Sequence, residues 1–424
     1  MTTPAPAARP APAGPAPGTY DVAAFRARFP ALVEGAAHFD GPGGSQVPGD
    51  VARAVADAMT AATANAGTVT RAELRARDVV LGARAALGDL LGVDPRGVVV
   101  GRSMTQLTFD LARTLAAGWG LGDEVVVSRL DHDANIRPWV LAAEAAGVSV
   151  RWADFEPSTG ELDVDAVAAV VGPRTRVVAV TAASNLIGTR PDVPAIARVA
   201  HEVGALLVVD GVHSTAHVPT DVPALGADVY LCSPYKLMGP HVGVMAAAPA
   251  FLETLHPAKL LPSTDAVPER FELGTLPYEL LAGCTAAVEV LAGLGDEAAD
   301  GPLTTRRERV LAGMAAVEAH EDRLRARLET AVTDLGGITS WSRARRRTPT
   351  VLLRVDGVPD EVVTRRLAER GVNAPRGSFY ALEASRHLGL GDGGAVRVGL
   401  APYTDDDDVT RLLEGLAALR STGG

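Results

Sequence analysis

Residues 205–243 read ALLVVDGVHSTAHVPTDVPALGADVYLCSPYKLMGPHVG, and two apolar runs in this stretch each end in a group with chemistry to offer. Residues 205–209 are a short, continuous run of Ala, Leu and Val, the pattern of a strand buried on both faces. The run ends at Asp210, with His213 and His217 just beyond it. A second run, 229–232, leads to Ser233, Tyr235 and Lys236, in a turn closed by Gly239, Pro240 and Gly243. Functional groups gathered at the carboxyl ends of neighbouring strands mark the ligand crevice of an open α/β sheet. A lysine just past a buried strand has a definite use: burial or a nearby cation lowers its pKa and leaves a neutral, imine-forming amine. Alone, Lys236 reads as a snorkelling surface lysine and Asp210 as a helix cap. Together, each after its own apolar run, they point to a site.

At 424 residues the chain has room for a large core and a second lobe. Aromatic residues are 4%, so the core is expected to be aliphatic. The net charge of −11, without a basic tract, argues against nucleic acid as a partner. The opening MTTPAPAARPAPAGPAPG lacks the apolar h-region of a signal peptide. No run reaches the roughly 18 uninterrupted apolar residues of a membrane helix. A soluble, cytoplasmic protein is therefore expected, with no membrane partner. The two cysteines, Cys232 and Cys284, make neither a disulfide framework nor a zinc site, and no metal is expected.

Taken in order, residues 1–18 form a Pro/Ala-rich tail with almost nothing to bury, expected to be disordered. Residues 19–40 are an arm in which Asp21 caps a short helix through Arg28, and Phe29 and Pro30 anchor it. The turn Gly41-Pro42-Gly43-Gly44 lets backbone approach closely. From residue 98 the pattern alternates. Strands are expected at 98–100, 124–128, 149–153, 176–181 and 206–210, with helices at 105–117, 135–146, 164–171 and 193–203 between them. Strands alternating with helices of about a dozen residues indicate right-handed crossover units and a mainly parallel sheet. Ser103, His132, Asn185, Asp210 and Lys236 all follow such strands, so one cleft can collect them. Beyond residue 243 come helices at 280–294 and 303–335, then a smaller α+β region with strands at 350–355 and 396–400. The last helix starts near Thr404, and the acidic run 405–408 suits the positive end of its dipole better than a metal.

Pyridoxal phosphate makes few demands on a protein: a lysine for the imine, an acid at the pyridine nitrogen, phosphate donors, a group over the ring and a cation for the substrate carboxylate. Lys236 supplies the first and Asp210 the second. Gly101-Arg102-Ser103-Met104-Thr105 lies between a strand and a helix, where amide N–H groups and the helix dipole receive a phosphate. Ser103 and Thr105 add hydroxyls, and His213 and Ser233 are placed to add more donors.

With these motifs the chain resembles the class V aminotransferases, and within them the cysteine-desulfurase-like branch. DGPGGSQVP at 40–48, RLDHDANIRPW at 129–139 and ASNLIGT at 183–189 carry the likeness. VVDGVHSTAH at 208–217, CSPYKLMGPHVG at 232–243 and RFELGTLPYELLAG at 270–283 complete it. The resemblance spans about 21–419. It implies an α/β, fold-type I enzyme: a large domain over 41–295 on a mainly parallel, seven-stranded-type sheet, and a small α+β domain over 296–424. It further implies that His132 stacks over the cofactor ring, that Asn185 bonds the phenolic oxygen and Asp210 the ring nitrogen, and that Met104 belongs to the phosphate turn. His213 falls near the phenolate or phosphate, and Ser233 and Tyr235 flank the lysine, where relatives often have histidine at the latter position. Gly274 and Thr275 are implied to reach the phosphate of a partner subunit in a homodimer. Arg397 matches the arginine that binds the substrate carboxylate, with Arg376 as a second contact.

One departure bears on the reaction. Desulfurases of this branch carry a loop cysteine that takes sulfur from the substrate, and Tyr380, in PRGSFYA at 375–381, falls about where it would be. Cys232 and Cys284 stand elsewhere, and a phenol does not accept sulfur as a thiolate does. The expected activity is β-elimination, a C–S lyase-type reaction on a small cysteine-like or β-substituted amino acid, through an imine at Lys236. Transamination and epimerisation at Cα are alternatives using the same residues. A non-catalytic scaffold keeping the fold is the alternative from another class, opposed by the survival of Lys236, Asp210, His132 and Asn185 together.

Overall fold

The computed structural model describes residues 21–299 and 301–421. The tail over 1–18 lies outside the described residues. The large domain is built on a seven-stranded sheet whose strands are β1 (Val98–Gly101), β2 (Glu124–Ser128), β3 (Ser149–Ala153), β4 (Thr175–Thr181), β5 (Leu206–Asp210), β6 (Val229–Cys232) and β7 (Gly243–Ala247). Their order across the sheet is β1-β7-β6-β5-β4-β2-β3. All neighbours pair in parallel except β7, which runs antiparallel to both β1 and β6. Reversing at β7 leaves β1 pointing the same way as β6, so the carboxyl ends of β1, β2, β4, β5 and β6 share one edge.

The apolar runs form strands because both faces are covered. Val126, Val178, Val180, Leu207 and Val209 enter one core, while Val125, Val127, Val177, Ala179 and Val208 enter the other. The first core is closed by helices α1 (Arg71–Leu91), α4 (Val193–Glu202) and α5 (Tyr278–Ala298); the second is closed by α2 (Met104–Ala116) and α3 (Arg137–Ala146). Thr70 and Glu73 form a capping box at the start of α1. By length and composition α5 is apolar enough to cross a membrane. In this fold its Leu281, Cys284, Ala287, Val288 and Leu291 are packed in protein core.

Helix α6 (Arg306–Leu335) opens with a second capping box, Thr305 with Glu308. Its first half places Val310, Met314 and Val317 in the large-domain core, and its second half places Leu324, Leu328 and Val332 in the small one. The helix therefore belongs to both lobes. The small sheet contains β8 (Ile338–Ser340), β9 (Thr350–Val355), β10 (Arg376–Gly377) and β11 (Ala395–Gly399), antiparallel in the order β10-β11-β9-β8. The amino-terminal arm ties the lobes together. Asp21 caps its short helix, the Phe29 ring packs 5.0 Å from that of Tyr403, and Ala37–His38 pairs in parallel with Val372–Asn373. The last helix, α7 (Asp406–Ser421), is capped one residue later than expected: Asp405 accepts the Asp408 N–H at 2.9 Å, while the Thr404 hydroxyl accepts that of Ala401. Arg26 pairs with Asp405 and Asp408, and Arg323 and Arg327 with Asp406, in the acidic run.

Candidate active site

One cleft at the shared strand edge is lined by Ser103, Met104, Thr105, His132, Asn185, Asp210, His213, Ser233, Tyr235 and Lys236. All ten were expected from the sequence. Ala134, Thr181, Ala183 and Val212 complete the lining and were not.

Ser103 caps α2 by accepting the Gln106 N–H at 3.1 Å, which orients the amides of that first turn toward the cleft. The turn can sit there because Gly243, the first residue of β7, has no side chain. A Cβ on Gly243 would stand 2.1 Å from the Ser103 carbonyl carbon and 2.4 Å from the Met104 nitrogen.

Lys236 is buried, and that burial pulls its ammonium down to about 8; the charge of Arg397 adds to the depression and Asp210 opposes it. Asp210 ends β5 and accepts the Val212 N–H at 2.8 Å. Burial lifts its carboxyl to about 6 against that hydrogen bond and the nearby lysine. Behind it lies a second buried acid, Asp131, held by Ser128 and by the Asn135 amide at 2.7 Å. Burial raises Asp131 to about 8, and the charge of Asp210 adds to the rise.

His132 accepts the Ala134 N–H on Nδ1 at 3.0 Å, which places the ring proton on Nε2. Burial first, then the charges of Lys236 and Arg397, lower its pKa to about 3, so the ring is neutral at physiological pH. His213 reaches into the small domain, with Nε2 2.9 Å from Thr348 Oγ1 and 3.0 Å from Thr350 Oγ1. Its Nδ1 is buried without a hydrogen-bond partner among the described residues. Tyr235 stacks on His241, with ring centroids 4.8 Å apart and planes 5° from parallel.

Arg397, on β11, is 2% exposed and donates to the Asn185 carbonyl at 3.0 Å. Burial depresses its guanidinium to about 9. Its Nε is buried with no partner among the described residues. Tyr380 does not line the cleft; its ring lies 5.5 Å from that of His132, and it is largely exposed.

One expected residue, Arg376, does not converge on this cleft. Arg376 is turned away: it stands opposite Val396 in the β10–β11 ladder, so strand alternation sends it to the face that Arg397 does not use, and its guanidinium lies 3.6 Å from Glu361. Gly274 and Thr275 do not reach this chain's own cleft. They border a surface groove with Leu81, Arg84 and Leu260.

A buried lysine and a buried acid behind adjacent parallel strands, a capped helix start at the same edge and a buried arginine from a second lobe match the architecture of fold-type I pyridoxal phosphate enzymes. The Aminotransferase class-V family model matches residues 37–412, and the chain belongs to that family, in its cysteine-desulfurase-like branch. It is 36% identical over 405 residues to an uncharacterized protein of Mycobacterium tuberculosis, covering 94% of this chain and 99% of that protein. A probable cysteine desulfurase of Pseudomonas aeruginosa is 30% identical over 414 residues, covering 92% of this chain and 96% of its own. The solved cysteine desulfurase CsdA from Escherichia coli matches with a TM-score of 0.83 at 26% identity, over 96% of this chain and 100% of that chain.

Proposed function

We propose that the cleft holds pyridoxal phosphate and that the protein is a C–S lyase-type enzyme, eliminating the β-substituent of cysteine or a similar small α-amino acid. The observation that carries this reading is Lys236, buried beside Asp210 with its amine brought down to about 8. The surroundings fit the cofactor on independent grounds. His213 Nδ1 and Arg397 Nε are buried polar atoms awaiting partners, and the bare Gly243 lets the Ser103–Thr105 turn present its amides.

In this reading Asp210 would hold the ring nitrogen, Asn185 and His213 the phenolic side, and Ser103, Thr105, Ser233 and the α2 amides the phosphate, with His132 as the group over the ring. Bound there, pyridoxal phosphate supplies the electron sink for a carbanion at Cα. Arg397 orients the substrate by its carboxylate, a charge-assisted pairing that compensates its own burial. Lys236, as the neutral amine, takes the proton from Cα.

The absence of a thiol acceptor favours elimination over transfer of sulfur to the protein. Cys232 and Cys284 are both fully buried, burial pushing the Cys232 thiol up to about 12 and the Cys284 thiol further still. A second copy of the chain completes this reading: Leu81, Leu260, Leu261 and Leu273 are exposed around Gly274 and Thr275, an apolar face suited to a homodimer. The test is a panel of cysteine and β-substituted amino acids assayed for keto acid and ammonia. Pyruvate, ammonia and hydrogen sulfide in equal amounts from cysteine are expected; a panel without any keto acid rejects the reading.

A further inference from the structure

The turn that stands in place of a loop nucleophile holds two non-glycine residues at positive φ, Phe379 at 51° and Tyr380 at 59°. Such backbone is sparsely populated and persists where its surroundings over-determine it. Here they do. The Phe379 carbonyl accepts the Asn185 side-chain amide at 2.9 Å, and the Tyr380 carbonyl accepts the Asp133 N–H at 2.7 Å. What the strained turn delivers is the Phe379 ring, whose centroid lies 3.6 Å from Cζ of Arg397. Asn185 serves both sides of the contact, since its own carbonyl holds the Arg397 guanidinium at 3.0 Å.

We propose that Phe379 is a positioning residue for Arg397. Its ring covers one face of the guanidinium, excludes water from it, and leaves the in-plane N–H edge for a carboxylate. The turn thereby sets the demand of the site for an α-carboxylate, a role that rests on the assignment of Arg397 to the substrate in the proposed function. A guanidinium stacked on an aromatic face keeps its edge donors, and those are the ones a bidentate carboxylate uses. A ligand without that group leaves a buried cation uncompensated, and sites of this kind reject such analogues strongly.

The test compares dissociation constants of L-alanine and L-alaninamide, by calorimetry on the cofactor-loaded protein, for the wild type, Phe379→Leu, Phe379→Tyr, Arg397→Lys and the Phe379→Leu/Arg397→Lys double variant. Phe379→Leu should weaken alanine about tenfold and leave alaninamide unchanged, the loss expected for a buried cation–aromatic contact. Phe379→Tyr, which keeps the ring, should restore alanine binding. The double variant should bind alanine no more weakly than Arg397→Lys alone, because Phe379 acts through the arginine. Equal weakening of both ligands, or additive losses in the double variant, would overturn the role of Phe379. A wild type that binds alanine and alaninamide alike would instead overturn the carboxylate role of Arg397, and the proposal with it.

Discussion

Nδ1 of His217 lies 2.9 Å from Oε2 of Glu321, and both side chains are buried. The contact joins the segment after β5 to α6, the helix shared by the two lobes. On its other side the His217 ring packs against His213 at 4.7 Å. Removing one member of a buried hydrogen-bonded pair strands the other, a loss of about 1–3 kcal/mol. Glu321→Ala should lose that much stability in urea denaturation, and Glu321→Gln, which keeps an acceptor for the ring, distinctly less. A Glu321→Ala protein as stable as the wild type would contradict the pairing.

The pH dependence of Lys236 has a definite sign. Burial and the charge of Arg397 lower its pKa to about 8, so the neutral amine accumulates as pH rises through that value. The rate at which cofactor-free protein takes up pyridoxal phosphate should rise with pH and level off above about 8. Arg397→Met removes a depressing cation and should move the midpoint to higher pH. Asp210→Asn removes the opposing anion and should move it lower. A wild-type midpoint near the ordinary 10.5 would show that the lysine is not buried as described.

Neither cysteine takes part in the proposed chemistry. Cys232→Ala and Cys284→Ala should each keep wild-type kcat for keto-acid formation, with a stability cost of roughly 1 kcal/mol from the lost core volume. Mass spectrometry of the wild type after turnover with cysteine should find no added sulfur on the chain. A protein-bound persulfide, or loss of turnover in either variant at unchanged fold, would return the chain to desulfurase chemistry.

The close approach at Gly243 links the sheet to the anion-receiving turn. Gly243→Ala forces the Ser103–Thr105 turn outward, because backbone atoms stand within 2.4 Å of the new methyl. Affinity for pyridoxal phosphate should fall more than tenfold, with a fluorescence titration as the measurement. Overpacking of this kind also costs about 1–3 kcal/mol of stability. Unchanged affinity would place the phosphate elsewhere.

The central large-domain strands were legible because they are continuous apolar runs, rich in Val and Leu and buried on both faces, and the residues following them fell into one cleft for the same reason. The edge strand Ser149–Ala153 is half exposed and carries no such run. Residues 243–247, GVMAA, gave no such signal: the strand is antiparallel, follows the lysine turn without an intervening helix and carries few β-branched residues. Arg376 was misplaced because one residue of register decides which face of a strand a side chain takes. The partners supplied by the other lobe were invisible. Thr348 and Thr350 meet His213 from more than 130 positions away, and Phe379 meets Arg397 through a strained turn. No local pattern encodes such a meeting.

Pyridoxal phosphate held in this cleft through an imine at Lys236 would carry a direct spectroscopic signature. Purified protein incubated with the cofactor and desalted should keep a visible absorbance band that borohydride abolishes, leaving the label on the peptide that contains Lys236. Lys236→Ala should form no such band. A wild type that emerges from desalting without the band, or a label carried by another lysine, would contradict the account.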